Sequence, residues 1–349
     1  MLKKLIPKLE SLILNLTPKI RKTLDIGTRL LIASLSLTYI FYRLYTLPAG
    51  QTEMFLNSVF GGNTWLYFSV ALLVLMLLNW GIEAFKWKLL INQSERISLG
   101  KSYQAVLGGL AVSIFTPNRV GEFLGRVFIL KKTNPLEGIM LTIVGSFSQL
   151  LVTLLIGTVA YIGFAPRYLS SLLNDSAWLV NGFSITLVSI SLMMVFFFFN
   201  ISALHRISIL IPSKYSQILK NGIEAVASCP ARLLLQLVLL STARYLVFST
   251  QFYIAIVLMG MEFTVLQCMM VIPVIYLVLA AIPTVALSEL GVRGSVSVFL
   301  FGLLNGSSGL DATASLAVIS AATLIWIVNI ALPSLAGVLV IFRLKFFGR

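Results

Sequence analysis

Histidine and cysteine are almost missing from this chain: His205 is the only histidine, and Cys229 and Cys268 are the only cysteines, among 349 residues. That scarcity excludes a disulfide framework or paired-cysteine zinc spacing and removes most imidazole-based catalysis. Charge is scarce as well. Asp, Glu, Lys and Arg make up 11% of the residues while 58% are hydrophobic; a soluble domain carries about a quarter charged residues. Too little charge remains to cover a water-facing surface. Acidic residues are rarest, 12 against 26 Lys and Arg, for a formal net charge of +14. No Ser-His-Asp set, Walker loop or His-x-x-His arrangement appears, so no catalytic residue, metal or cofactor is assigned. His205, beside Arg206, reads as a snorkelling surface residue.

What the chain does have is long apolar runs. A membrane span needs roughly 20 mostly apolar residues, and 29–47, 65–84, 139–163, 177–199, 232–259 and 312–341 meet that standard. Two further apolar regions break at a proline. Residues 103–130 divide at Thr116-Pro117-Asn118, and residues 264–304 divide at Ile282-Pro283-Thr284. Proline lacks an N–H and disfavours helix in the residue before it, so each break predicts a turn.

Lys and Arg set the orientation. If each broken region enters and leaves by one face, the segments 1–29, 86–101, 119–132, 206–232 and 343–349 share a side and hold 22 of the 26 basic residues. The opposite loops hold Glu53, Asp175, Glu262 and Asp311, with Arg167 their only basic residue. Both termini are then cytoplasmic, and the positive charge needs no nucleic acid to explain it. The predicted fold is an all-α polytopic membrane protein of about six transmembrane helices plus two re-entrant helical hairpins. Units 65–163 and 232–341, linked by 164–231, form an inverted repeat within a single domain, 29–342. Inverted repeats with broken helices are a transporter architecture; two pairs of ordinary tilted spans are the alternative. Residues 343–349 form a basic cytoplasmic tail. Residues 1–28 carry Lys3, Lys4 and Lys8 ahead of a leucine-rich helical pattern without a signal-peptide cleavage site. They read as an amphipathic segment on an anionic membrane face or as a basic tail.

The two broken regions share a pattern beyond the proline. Pro117 is followed by Arg119, Glu122 and Arg126; Pro283 is followed by Glu289 and Arg293. Each Glu-x-x-x-Arg places both charges on one helical face. Ionisable groups at membrane depth are costly unless paired or hydrated, and so mark functional sites. A guanidinium fork suits a headgroup phosphate, which it binds bidentately. Arg244, within the fifth span, is the third candidate cation. Asn79, Glu83, Gln149, Gln251 and Asn329 are expected to support the site as hydrogen-bond partners. The Trp80 and Lys86-Trp87-Lys88 stretch reads as interfacial anchoring. Gly121 and Gly125 form a small-xxx-small pair for close packing.

These motifs carry a resemblance. The run Pro117–Arg126, the Asn79-Trp80…Lys86-Trp87 segment and the stretch from Pro283 to Arg293 resemble the flippase-like domain family, the transmembrane region of lysylphosphatidylglycerol synthases. The likeness extends over about residues 25–342, in the form of a stand-alone member without the aminoacyl-transferase domain. It implies a bacterial or archaeal cytoplasmic membrane and no enzyme activity. It also implies movement of an anionic phospholipid or polyprenyl-linked lipid between leaflets, with Arg119, Glu122, Arg126, Arg244, Glu289 and Arg293 lining the path. A homo-oligomer is compatible with it. A membrane-embedded lipid-phosphate transferase or phosphatase and a non-transporting scaffold of a lipid-synthesis complex are the alternatives.

Overall fold

The computed structural model describes residues 65–114, 119–169, 177–205, 217–282 and 286–341, together with Glu53 and Thr116. Among these residues all regular structure is helical. The helices are α1 (Trp65–Ile91), α2 (Leu99–Ser113), α3 (Gly121–Val127), α4 (Pro135–Tyr168), α5 (Ala177–Phe199) and α6 (Gln217–Ala227). They continue with α7 (Ala231–Leu258), α8 (Val265–Ala281), α9 (Ala286–Gly302), α10 (Ala312–Trp326) and α11 (Leu332–Ile341). A π-helical turn, Ile327–Ala331, joins α10 to α11.

Five helical stretches are long and apolar enough to cross a membrane: Trp65–Ile91, Pro135–Tyr168, Trp178–Phe199, Ala231–Leu258 and Ala312–Ile341. They coincide with five of the six predicted spans. The predicted span 29–47, the segment 1–28 and the tail 343–349 lie outside the described residues. The molecule is apolar on its surface and polar in places within. Val74, Leu77 and Phe85 of α1 and Ile185, Leu192 and Phe196 of α5 are exposed, whereas Asn79, Glu83, Lys86, Arg126 and Gln251 are buried. Water would not tolerate so large an apolar surface, whereas hydrocarbon matches it and penalises an outward-facing charge.

Side-chain caps fix the helix starts. Ser98 caps α2, Asn134 caps α4 with Pro135 at its first position, and Asp311 caps α10. Thr264 and Gln267 form a reciprocal capping box at α8. Each satisfies a backbone N–H that the helix itself leaves without a partner. The proline breaks act as predicted on the described neighbours. Ile282, just before Pro283, is extended (φ −93, ψ 112) and ends α8, as the crowding of a following proline ring dictates. The second arm of the first broken region is shorter than the predicted stretch to 130: α3 is 7 residues long.

Glycine brings α2 and α3 into close contact. A Cβ at Gly125 would lie 2.5 Å from the Cα of Gly109, and one at Gly121 would lie 2.5 Å from the Val112 carbonyl oxygen. Between apolar helices in lipid, close van der Waals fit replaces the hydrophobic drive as the source of packing energy. Beyond α3 the chain is held by Glu95, whose carboxylate accepts the backbone N–H groups of Lys131, Lys132 and Thr133. Partial burial opposes the charge, but those backbone bonds and the Thr133 hydroxyl outweigh it and hold the carboxyl below the ordinary glutamate range.

The pairing of helices has a two-fold regularity. α1 packs on α7; α2 packs on α3, α1 and α11; α4 packs on α3 and α8. α8 likewise packs on α9 and α7, and α9 packs on α10. Replacing α1, α2, α3 and α4 by α7, α8, α9 and α10–α11, and the reverse, leaves this set of contacts unchanged. The first arm of the first broken region, α2, thus rests against α11, and the first arm of the second, α8, rests against α4.

Candidate functional site

One carboxylate organises the interior. Glu83 lies on the buried face of α1, with Asn79 one turn before it and Lys86 one turn after, a spacing that puts all three on one side. Its Oε1 accepts Nη1 of Arg126 at 2.9 Å. Its Oε2 accepts Nζ of Lys86 at 2.8 Å and Nη1 of Arg244 at 3.1 Å. Three cations from α1, α3 and α7 thus meet at a side chain that is 4% exposed. Arg126 also donates to Glu122, four residues earlier on α3.

Neutral groups complete the shell. Arg244 donates through Nε to Asn79 at 2.9 Å, reaches Gln149 at 3.5 Å, and lies 5.1 Å from the centre of the Trp80 ring. Lys86 donates to the Ser241 hydroxyl, which pairs with Ser148. Asn79 donates to the Asn329 side chain at 2.8 Å. Trp80 donates to the Asn329 carbonyl at 3.2 Å. Pro333, four residues beyond Asn329, has no N–H to return to that carbonyl.

A second cluster joins the two broken regions. Arg119 donates through Nη2 to Oε1 of Glu289 at 2.6 Å, and Arg293 donates to the same oxygen at 3.2 Å. Arg119 has a left-handed backbone (φ 57), a conformation uncommon outside glycine and found where surrounding contacts enforce it. Arg119 precedes α3 by two residues and Glu122 lies in its first turn, so the start of α3 links the two clusters in sequence.

The structure gathers Arg119, Glu122, Arg126, Arg244, Glu289 and Arg293 into these two groups, with Asn79, Glu83, Gln149 and Asn329 alongside. Gln251 goes elsewhere: it donates to the Leu72 carbonyl and ties α7 to α1. Glu83 is central rather than supporting. Lys86 and Trp87 correct the interfacial reading, since both are buried at 1% and 0% exposure. Trp87 donates to the Thr142 hydroxyl at 2.9 Å instead of facing headgroups. The signal for Lys86 was present in the spacing of Asn79, Glu83 and Lys86. Its neighbours Trp87 and Lys88 masked it, because that composition also marks membrane edges. Among the described residues no group of three or more His, Cys, Asp or Glu could hold a metal ion.

Fold and site define a multi-pass helical membrane protein with a charged, hydrogen-bonded cluster enclosed among its spans. The family model for the lysylphosphatidylglycerol synthase TM region matches residues 29–331, and the chain belongs to that flippase-like family. No curated protein and no solved structure matches it.

Proposed function

We propose that this protein moves an anionic lipid or lipid-linked headgroup between the leaflets of a bacterial or archaeal cytoplasmic membrane, without catalysing a reaction. The observation that carries this reading is the excess of guanidinium and ammonium groups over carboxylates inside a bundle whose outer surface is hydrocarbon. Buried charge is retained against a desolvation cost of several kcal/mol per ion, and a site for a passing anion accounts for its positive sign. Arg119, Arg244 and Arg293 are the partly exposed cations, with side-chain exposures of 36%, 17% and 12%. They are the groups offered to a phosphate, while Glu83 and Glu289 hold their forks in place.

In this reading α2–α3 and α8–α9 are re-entrant hairpins entering from the cytoplasm and from outside, and residues 65–163 and 232–341 are inverted repeats. The two-fold regularity of the helix contacts supports that organisation. Rocking one unit against the other would expose the arginines to each leaflet in turn while the lipid tails stay in the bilayer. Both termini are cytoplasmic.

Reconstitution into liposomes with a labelled lipid panel tests the proposal. Anionic phospholipids or polyprenyl-linked lipids should exchange between leaflets faster than in protein-free liposomes, and Arg244→Gln should lose that acceleration. Exchange no faster than in protein-free liposomes for every lipid of the panel sinks the transport reading.

A further inference from the structure

Beside the charged clusters the bundle has a cavity of about 720 Å³ with no charged side chain among the described residues of its walls. The walls come from α4, α5, α8 and α9, and Tyr161 and Ser295 are the only polar side chains among those described. α4 packs on α5 and on α8, while α5 packs chiefly on α4, so a gap opens between α5 and the α8–α9 pair. Leu187, Val274 and Leu300 are buried and form its floor; Leu150, Ile190 and Phe299 are exposed and form its lips. The cavity is therefore a groove that opens sideways on the apolar surface of the bundle. On α5 its lining runs from Phe183 to Met194, about 16 Å at 1.5 Å per residue. That is about half of the roughly 30 Å hydrocarbon core, the depth of one leaflet. The groove also meets a charge. Glu289, Arg293, Val296 and Leu300 recur every three or four residues and share a face of α9. Val296 and Leu300 line the groove, so Arg293 stands one turn beyond them. Its Nε is buried without a partner among the described residues.

We infer that the groove seats one acyl chain of an anionic phospholipid whose headgroup stands at Arg293. The inference deepens the proposed function and rests on it for the anionic headgroup. A chain that leaves bulk lipid for an apolar groove gains no hydrophobic free energy, because both surroundings are hydrocarbon. What it gains is van der Waals fit along the walls. Selectivity then comes from the other end of the molecule, where the guanidinium of Arg293 can engage a phosphate. The depth of the groove suits an acyl chain, which spans one leaflet, whereas a polyprenyl chain extends well beyond it. The sideways opening lets the chain enter from the bilayer without crossing the charged interior. Headgroup and chain then follow separate surfaces, the arginines for one and the α4–α5 flank for the other.

The test is photolabelling of the full-length chain in phosphatidylcholine vesicles, with leaflet exchange measured on the same preparation. The probes are phosphatidylglycerol and phosphatidylcholine carrying a diazirine midway along one acyl chain, and a diazirine-bearing polyprenyl phosphate; adducts are mapped by mass spectrometry. Phosphatidylglycerol should label Leu187 and Leu277 about tenfold more than phosphatidylcholine does, the discrimination expected from one charge-assisted hydrogen bond. Arg293→Gln should make the two lipids equal. Ala281→Trp, which puts a ring into the groove from an exposed position, should abolish labelling of both leucines. Ala280→Trp, also exposed and in the groove wall, makes the same comparison if the first variant does not fold. Val74→Trp, on the exposed face of α1, should label as the wild type does. Equal labelling of the wild type by the two phospholipids overturns the inference. So does labelling of Leu187 and Leu277 no stronger than that of the exposed Val74 and Leu192, the result expected if residues 29–47 or a second copy fill the groove. Stronger labelling by the polyprenyl phosphate than by phosphatidylglycerol overturns the assignment to an acyl chain. Leaflet exchange of phosphatidylglycerol by a chain whose groove stays unlabelled leaves transport standing and removes this inference. A labelled groove in a chain that exchanges no lipid does the reverse.

Discussion

Arg119 and Glu289, 170 residues apart in the chain, are joined by a 2.6 Å ion pair that ties the turn of the first broken region to the second. Arg119 is a third exposed, so their coupling should be modest. A double-mutant cycle of Arg119→Ala and Glu289→Ala, followed by unfolding in detergent, should return a coupling energy of about 1 kcal/mol. Additive effects would show that the pair contributes nothing to holding the two units together.

Glu83 should behave differently because it is shielded from solvent. Glu83→Gln leaves Lys86, Arg126 and Arg244 converging on a neutral amide. The expected loss is about 3–5 kcal/mol, the range for stripping a buried charge of its partner. Lys86→Met should cost distinctly less, since two arginines still compensate the carboxylate. Equal losses in the two variants would contradict the central role of Glu83.

The close contact of α2 and α3 makes a packing prediction. Gly125→Ala would force its methyl against Gly109 and should cost about 1–3 kcal/mol, as overpacking does. Gly81→Ala, with nothing within 4 Å of the added methyl, serves as the control. Its melting temperature should equal or slightly exceed that of the wild type.

Glu95 predicts a pH dependence outside the spans. Its carboxyl titrates lower in the folded protein than in the unfolded chain. The unfolded state therefore binds more protons over that window, and stability rises with pH there. The contribution is fully present above the ordinary glutamate pKa and is lost as pH falls through the folded value. Unfolding profiles of the wild type and Glu95→Gln should converge toward acid and separate toward neutral pH. Parallel profiles would remove the Glu95 clamp as a source of stability.

Orientation is open to cysteine labelling. In a background with Cys229 and Cys268 replaced by serine, Glu262→Cys and Asp311→Cys should react with an impermeant reagent from the outer face. Arg96→Cys and Lys220→Cys should react only from the cytoplasmic face. α8 has 17 residues, a length of about 25 Å at 1.5 Å per residue, short of the roughly 30 Å hydrocarbon core. Ile282→Cys should therefore resist a bulky reagent from either side. Ready labelling from the cytoplasm would make α8 and α9 two full spans.

The sequence alone was sufficient for the membrane class, the five described spans and the Glu-x-x-x-Arg pairs, because those properties depend on neighbours within a few turns. Apolar length marks a span, and the i,i+4 spacing brings Glu122 to Arg126 and Glu289 to Arg293 in any helix. Tertiary structure decided that Glu83 is the hub. Its three cations come from α1, α3 and α7, and no local pattern connects positions 83, 126 and 244. Tertiary packing also buried Lys86 and Trp87, whose composition matches a membrane edge, by carrying α1 to Ile91 and covering that face with α4 and α7. The Arg119–Glu289 pair belongs to the same class of fact. Local spacing sets which charges share a helix, but only the packing of one unit against the other sets which helices share a charge.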